Sequence, residues 1–166
     1  MALAASGSAG VPARLASQVS QQRFVDVPEV IKARSGDRVS GMRVRDVVML
    51  RCGTLYNAWD VNTGLSDAHF SRIVSKDAQR GLLKFRGPVR DVVVEHFTIL
   101  VTTVNTDPHK VPAGIALAGK TVSDVGENFL FRHGRVDGLR SRHNAFLNGD
   151  GVATETGYRN VRLENI

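Results

Sequence analysis

Cysteines, aromatic residues and long apolar runs are scarce in this chain, and each scarcity closes off a class of protein. The single cysteine, Cys52, excludes an internal disulfide and any site built from several thiolates. No apolar run approaches the length that spans a bilayer, so no membrane partner is expected. Aromatics are only 6% of the 166 residues, while glycine is frequent and valine recurs throughout, which points to an aliphatic core built from strands. Lysine is sparse beside arginine. The net charge of +6 suits a polyanionic partner, but the arginines are dispersed and accompany no recognition helix, so nucleic acid is not expected. The opening Met1-Ala2-Leu3-Ala4-Ala5-Ser6 has the small residues of a cleavage region without a basic start or a sustained apolar stretch. Export stays open, with an extracellular or cell-surface location favoured.

What the chain does contain is a recurring phrase. Arg90-Asp91-Val92-Val93-Val94-Glu95-His96, Glu127-Asn128-Phe129-Leu130-Phe131-Arg132-His133 and Arg159-Asn160-Val161-Arg162-Leu163-Glu164-Asn165 share an Asx position followed by apolar residues two apart. An earlier copy, Arg45-Asp46-Val47-Val48-Met49, opens in the same way, which predicts a column of Asp46, Asp91, Asn128 and Asn160. Counting His69 as the start of a degenerate copy, the starts at Asp46, His69 and Asp91 give a period of twenty-odd residues, in the range of stacked-coil repeats. The steps to Asn128 and Asn160 are longer, which predicts insertions in those coils. In this register Cys52 falls in an apolar column with Phe97 and Ile166, as a buried thiol, and Glu95, Arg132 and Glu164 form a charged column. His96 and His133 share a column with Arg51 and Asn165, without the third ligand that a zinc site needs, so no metal site is expected. Residues 1–22, rich in Ala, Ser, Gly and Gln, read as a disordered leader or linker, and residues 23–166 as one domain, with 24–33 as a strand broken at Pro28 or 27–33 as a helical cap.

The phrase Asn148-Gly149-Asp150-Gly151-Val152, with Asn160-Val161-Arg162-Leu163-Glu164-Asn165 after it, resembles wording common in the pectate-lyase-like superfamily. That resemblance covers roughly residues 36 to 166 and implies an all-β fold, a right-handed parallel β-helix. Because the chain stops on a strand phrase, the solenoid is expected to be incomplete, with further coils or a partner covering its C-terminal end.

Insertions in solenoids map to loops on one face, often the binding face. Within the first, Asp107-Pro108-His109 resembles the Asp-Pro-His motif of alginate C5-epimerases. The resemblance implies proton abstraction beside a uronate carboxylate, which needs a base and a countercharge. His109 would be base or acid, Asp107 the orienting carboxyl, and Lys110 or Arg132 the countercharge. Asn105, Arg135, Arg142, Asp150 and Glu155 would take the substrate. Asn105-Thr106-Asp107 is also similar to the first motif of polygalacturonases, whose hydrolysis needs two facing carboxyls, here Asp107 with Asp150 or Glu155. No cofactor is expected. The oxygens of Asp150 and Glu155 would admit calcium, at a lower carboxylate density than such a cation prefers. The expected function is a carbohydrate-active protein for an acidic polysaccharide, by uronate β-elimination or C5-epimerisation if it is catalytic. The alternative is a noncatalytic glycan-binding or structural β-helix of a surface, adhesin or phage-tail type.

Overall fold

Strands that alternate apolar and polar residues bury one face. Successive short passes of such strands can share one core by stacking in parallel. The computed structural model describes residues 10–12, 18–58, 60, 62–102, 113–117, 126–138, 147–149 and 159–166. Among them there is no helix, and every strand pairing is parallel.

The chain alternates between two sheets. One contains β1 (Val11–Pro12), β3 (Glu29–Lys32), β6 (Thr54–Ala58), β8 (Gly81–Phe85), β10 (Ala113–Leu117) and β13 (Leu147–Gly149), stacked in that order. The other stacks β2 (Gln18–Val25), β5 (Arg43–Leu50), β7 (Gly64–Lys76), β9 (Val89–Leu100), β11 (Glu127–Arg132) and β14 (Arg159–Glu164). Two short strands extend this second sheet, β4 (Arg38–Ser40) on β7 and β12 (Arg135–Asp137) on β9. The molecule is therefore an all-β parallel solenoid. Strand is present at Val11–Pro12 and again from Gln18, inside the segment that composition assigned to a leader, because Val11–Pro12 pairs with β3 and residues 18–25 pair along β5. Residues 29–32 are strand and not a helical cap, since they pair with β6.

The second sheet is folded along its length by a regular device. The backbone turns left-handed at every fifth residue of each pass: Gly41, Asp46 and Arg51, then Asp67, Arg72 and Asp77, then Asp91 and His96, then Asn128, His133 and Gly138. That conformation costs most side chains on the order of 1 kcal/mol, and Asp and Asn tolerate it best. Between two such corners, residues alternate inward and outward. Val92, Val94 and Phe97 are buried, while Val93 and Glu95 lie on the outer face.

Register corrects the alignment read from the sequence. Arg45 pairs with Ser71 and Val47 with Ile73, so Asp46 stands level with Arg72. Ser71 in turn pairs with Glu95, so both stand level with His96, while Asp67 takes the place beside Asp91. Arg51 belongs with Asp26 and Asp77 and not with the histidines, as the pairings Leu50 with Lys76 and Val25 with Leu50 require. Cys52 is fully buried as expected, but it does not share a column with Phe97, which lies level with Ile73.

The core runs the length of the stack. Tyr56 meets Phe70 of the other sheet with ring centroids 6.4 Å apart, Phe85 meets Phe129 at 6.1 Å, and Tyr56 and Phe85 lie 5.9 Å apart within their own sheet. Above Phe97 the next pass places Gly134, where a β-carbon would come within 2.2 Å of the Phe97 ring. A glycine is required there by the ring beneath it.

Candidate functional site

Outward positions of stacked strands form columns across the sheet, about 4.8 Å per step. Between the first and second corner columns, one outward column contains Arg43, His69 and Val93, and the next contains Arg45, Ser71, Glu95 and Arg132. Of these, Arg43, Arg45, His69, Ser71 and Glu95 wall a shallow groove of about 440 Å³ across β2, β5, β7 and β9, with Gln18 and Ser20 at one end and Glu95 at the other.

Within it, His69 and Glu95 meet diagonally across β7 and β9, with Nε2 2.8 Å from Oε1. The second carboxylate oxygen of Glu95 accepts from Arg132 Nε at 2.8 Å, because Arg132 stands directly opposite Glu95 on β11. The Arg132 guanidinium holds the Glu95 carboxyl below the usual carboxylate range, against its partial burial, and His69 adds to the effect. An ionised carboxylate only accepts hydrogen bonds, so His69 Nε2 carries the hydrogen that it donates to Glu95. Nδ1 is then the nitrogen that can gain or lose a proton. A carboxylate fixing the tautomer of an imidazole is the arrangement that general bases use.

The surrounding arginines divide into engaged and open ones. Arg43 forks onto Asp67, with Nη2 2.9 and 3.1 Å from its carboxylate oxygens. Arg72 pairs with Asp46, its Nη2 2.8 Å from Oδ2, and holds that carboxyl below the usual range. Arg45 is exposed and makes no ion pair with a described residue. Its guanidinium is open to an anion in the same groove as His69.

A second groove of about 370 Å³ lies on the other side of the corner column of Asp67 and Asp91, across β4, β7, β9 and β11. Arg38, Ser40, Ser66, Arg90 and Glu127 contribute its polar groups, above Gly64 and Pro88.

The corner columns themselves are bonded along the stack. Asn128 Nδ2 donates to Asp91 Oδ1 and Asn160 Nδ2 to Asn128 Oδ1, each at 2.8 Å. Arg51 forks onto Asp26 at 2.8 and 2.7 Å. His96 and His133 stack with ring centroids 5.0 Å apart and planes 16° from parallel. Among the described residues no three His, Cys, Asp or Glu side chains are grouped to hold a metal ion.

Of the residues singled out from the sequence, Asn105, Asp107, His109, Lys110, Arg142, Asp150 and Glu155 lie outside the described residues. Arg132 is found as the partner of Glu95, in the charged column with Glu164 that the sequence indicated. Arg135 sits on β12, level with Thr98, with its guanidinium 3.8 Å from Asp137. Sequence reasoning missed His69 and Arg45. The available signal was the outward alternation of His69-Phe70-Ser71, obscured because the phrase was begun at His69 and not at Asp67.

No family model matches the chain, and no curated protein or solved structure matches it. The likeness to the pectate-lyase-like superfamily therefore rests on short phrases alone, and what stands established is the parallel β-solenoid.

Proposed function

We propose that the protein is a carbohydrate-active solenoid of pectate-lyase-like type that binds an acidic polysaccharide in the His69 groove and acts on its uronate units. The observation that carries this reading is the bonded series His69, Glu95 and Arg132, of which His69 and Glu95 line one groove with the open guanidinium of Arg45. Arg45 would pair with the uronate carboxylate and stabilise the charge that builds there as the adjacent proton leaves. His69 Nδ1 would take that proton from C5. In β-elimination the electron pair forms the C4=C5 bond as the C4–O bond breaks, and the imidazolium returns its proton to the departing oxygen. In epimerisation a water molecule gives a proton to C5 from the opposite face, the imidazolium releases its own proton to the solvent, and no bond to oxygen breaks.

The test is a screen of alginate, polygalacturonate and related uronans for unsaturated products by absorbance and for epimer ratio by NMR. His69→Gln should lower any turnover by at least about a hundredfold while leaving binding within a few fold. Turnover that survives His69→Gln would remove the histidine from the reaction.

A second reading, a noncatalytic glycan-binding solenoid, is favoured by the engagement of Arg43 and Arg72 with Asp67 and Asp46, which leaves the groove less basic than its composition implies. Binding without turnover on every uronan would select it.

A further inference from the structure

We propose that the second groove, walled by Arg38 and Arg90, is a separate binding site for an acidic polysaccharide strand, lying beside the His69 groove. Its ligand class rests on the function proposed above, but its residues are independent of those around His69. Most described arginines of the outer face are already bonded to a carboxylate: Arg43 to Asp67, Arg72 to Asp46, Arg132 to Glu95 and Arg159 to Glu127. Arg38 and Arg90 are exposed and form no ion pair with a described residue. The one carboxylate in the groove wall, Glu127, is paired with Arg159 at 3.0 Å.

The groove is shaped for an extended ligand. Gly64 stands level with Arg38 on the next strand, and the Arg38 guanidinium lies over it, with Nη1 3.6 Å from where a β-carbon would be. A side chain at position 64 would fill that space. Ser40 and Ser66 pair in register, and Ser66 pairs with Arg90, so two hydroxyls lead across the strands to the second guanidinium. Arg38 on β4 and Arg90 on β9 are two strand steps apart, about 10 Å at about 4.8 Å per step, and two residues apart in register. Two guanidiniums based on separate strands, with two hydroxyls between them, suit a strand that carries repeated carboxylates and hydroxyls. The two grooves share β7 and β9, on opposite sides of the corner column of Asp67 and Asp91, so two bound strands would lie side by side.

Calorimetric titration of the full chain with tetragalacturonate tests this, with the thermal unfolding midpoint of each variant as the check that it folds. Two sites per chain are expected. Arg38→Ala with Arg90→Ala should remove one of them and leave the His69 groove unaffected. Arg45→Ala with His69→Gln should remove the other. Unchanged stoichiometry and affinity in the Arg38 and Arg90 variant would overturn the second site, whatever becomes of the first. If that variant loses its binding while the Arg45 and His69 variant keeps all of it, the second groove stands and the function assigned to the first fails.

Discussion

The two faces of the long sheet follow different rules. On the inner face, columns keep to apolar residues with few exceptions: Val44, Phe70, Val94 and Phe131 are level with one another and all are buried, while Ser75 interrupts the column of Met49 and Ile99. On the outer face, each column changes from strand to strand: Arg45, Ser71, Glu95, Arg132 and Glu164 occupy equivalent places. Inner positions must fill a shared core at the density of a protein interior, which tolerates little variation. Outer positions need only satisfy the neighbour above and below. Repetition in this protein therefore marks stability, and departure from repetition marks the places where chemistry can be built.

Three changes would break or sharpen that contrast. The largest effect is expected inside. Phe70→Ala removes a fully buried ring that packs on Tyr56, and chemical denaturation should show a loss of about 3–5 kcal/mol. A loss below about 1 kcal/mol would mean that the inner columns do not form one close-packed core.

An intermediate effect is expected from acid. Asp26, Asp46 and Glu95 each have a folded-state pKa lowered by hydrogen bonds from Arg51, Arg72 and Arg132. A carboxyl with a lowered folded pKa contributes stability that is present above its unfolded pKa, about 4, and is lost as pH falls through the folded value. Thermal midpoints should hold steady from about pH 7 to 5 and fall progressively below about pH 4. A flat profile through that lower range would show that the outer ion pairs add nothing to the fold.

The smallest effect is expected from Arg51→Ala. Its pair with Asp26 is exposed on both sides, and exposed pairs are weak and screened by salt. A slight drop in the unfolding midpoint at low ionic strength should vanish in concentrated salt. A large drop that persists in salt would place Arg51 among the groups that define the corner itself.

How much of this was legible in the sequence depends on the face. The alternation of Val92, Val94 and Phe97 with outward residues was readable, and so was the strand repeat, because a period of two is written directly into the order of residues. Register was not. The corners recur every fifth residue, so Asp46-Val47-Val48-Met49 matches Asp91-Val92-Val93-Val94 as well as it matches the true counterpart that begins at His96. A slip of five residues keeps every inward residue inward, and only pairing between strands distinguishes the two alignments. That slip hid Asp67 as the partner of Asp91 and, with it, the outward place of His69. The column of Glu95, Arg132 and Glu164 was found correctly because Asp91, Asn128 and Asn160 are truly level. Its meaning was missed, since His69 joins Glu95 from a neighbouring column.

By itself the sequence determined that this protein is a stack of short strands with an apolar interior and Asx corners, since those follow from local alternation and from which side chains tolerate a left-handed backbone, while the rings that meet in its core were not foreseen. Only the tertiary structure decided which corner stands on which, because register is a relation between segments two dozen or more residues apart. From that register came the meeting of His69, Glu95 and Arg132, and the two guanidiniums of Arg38 and Arg90 left facing an open groove.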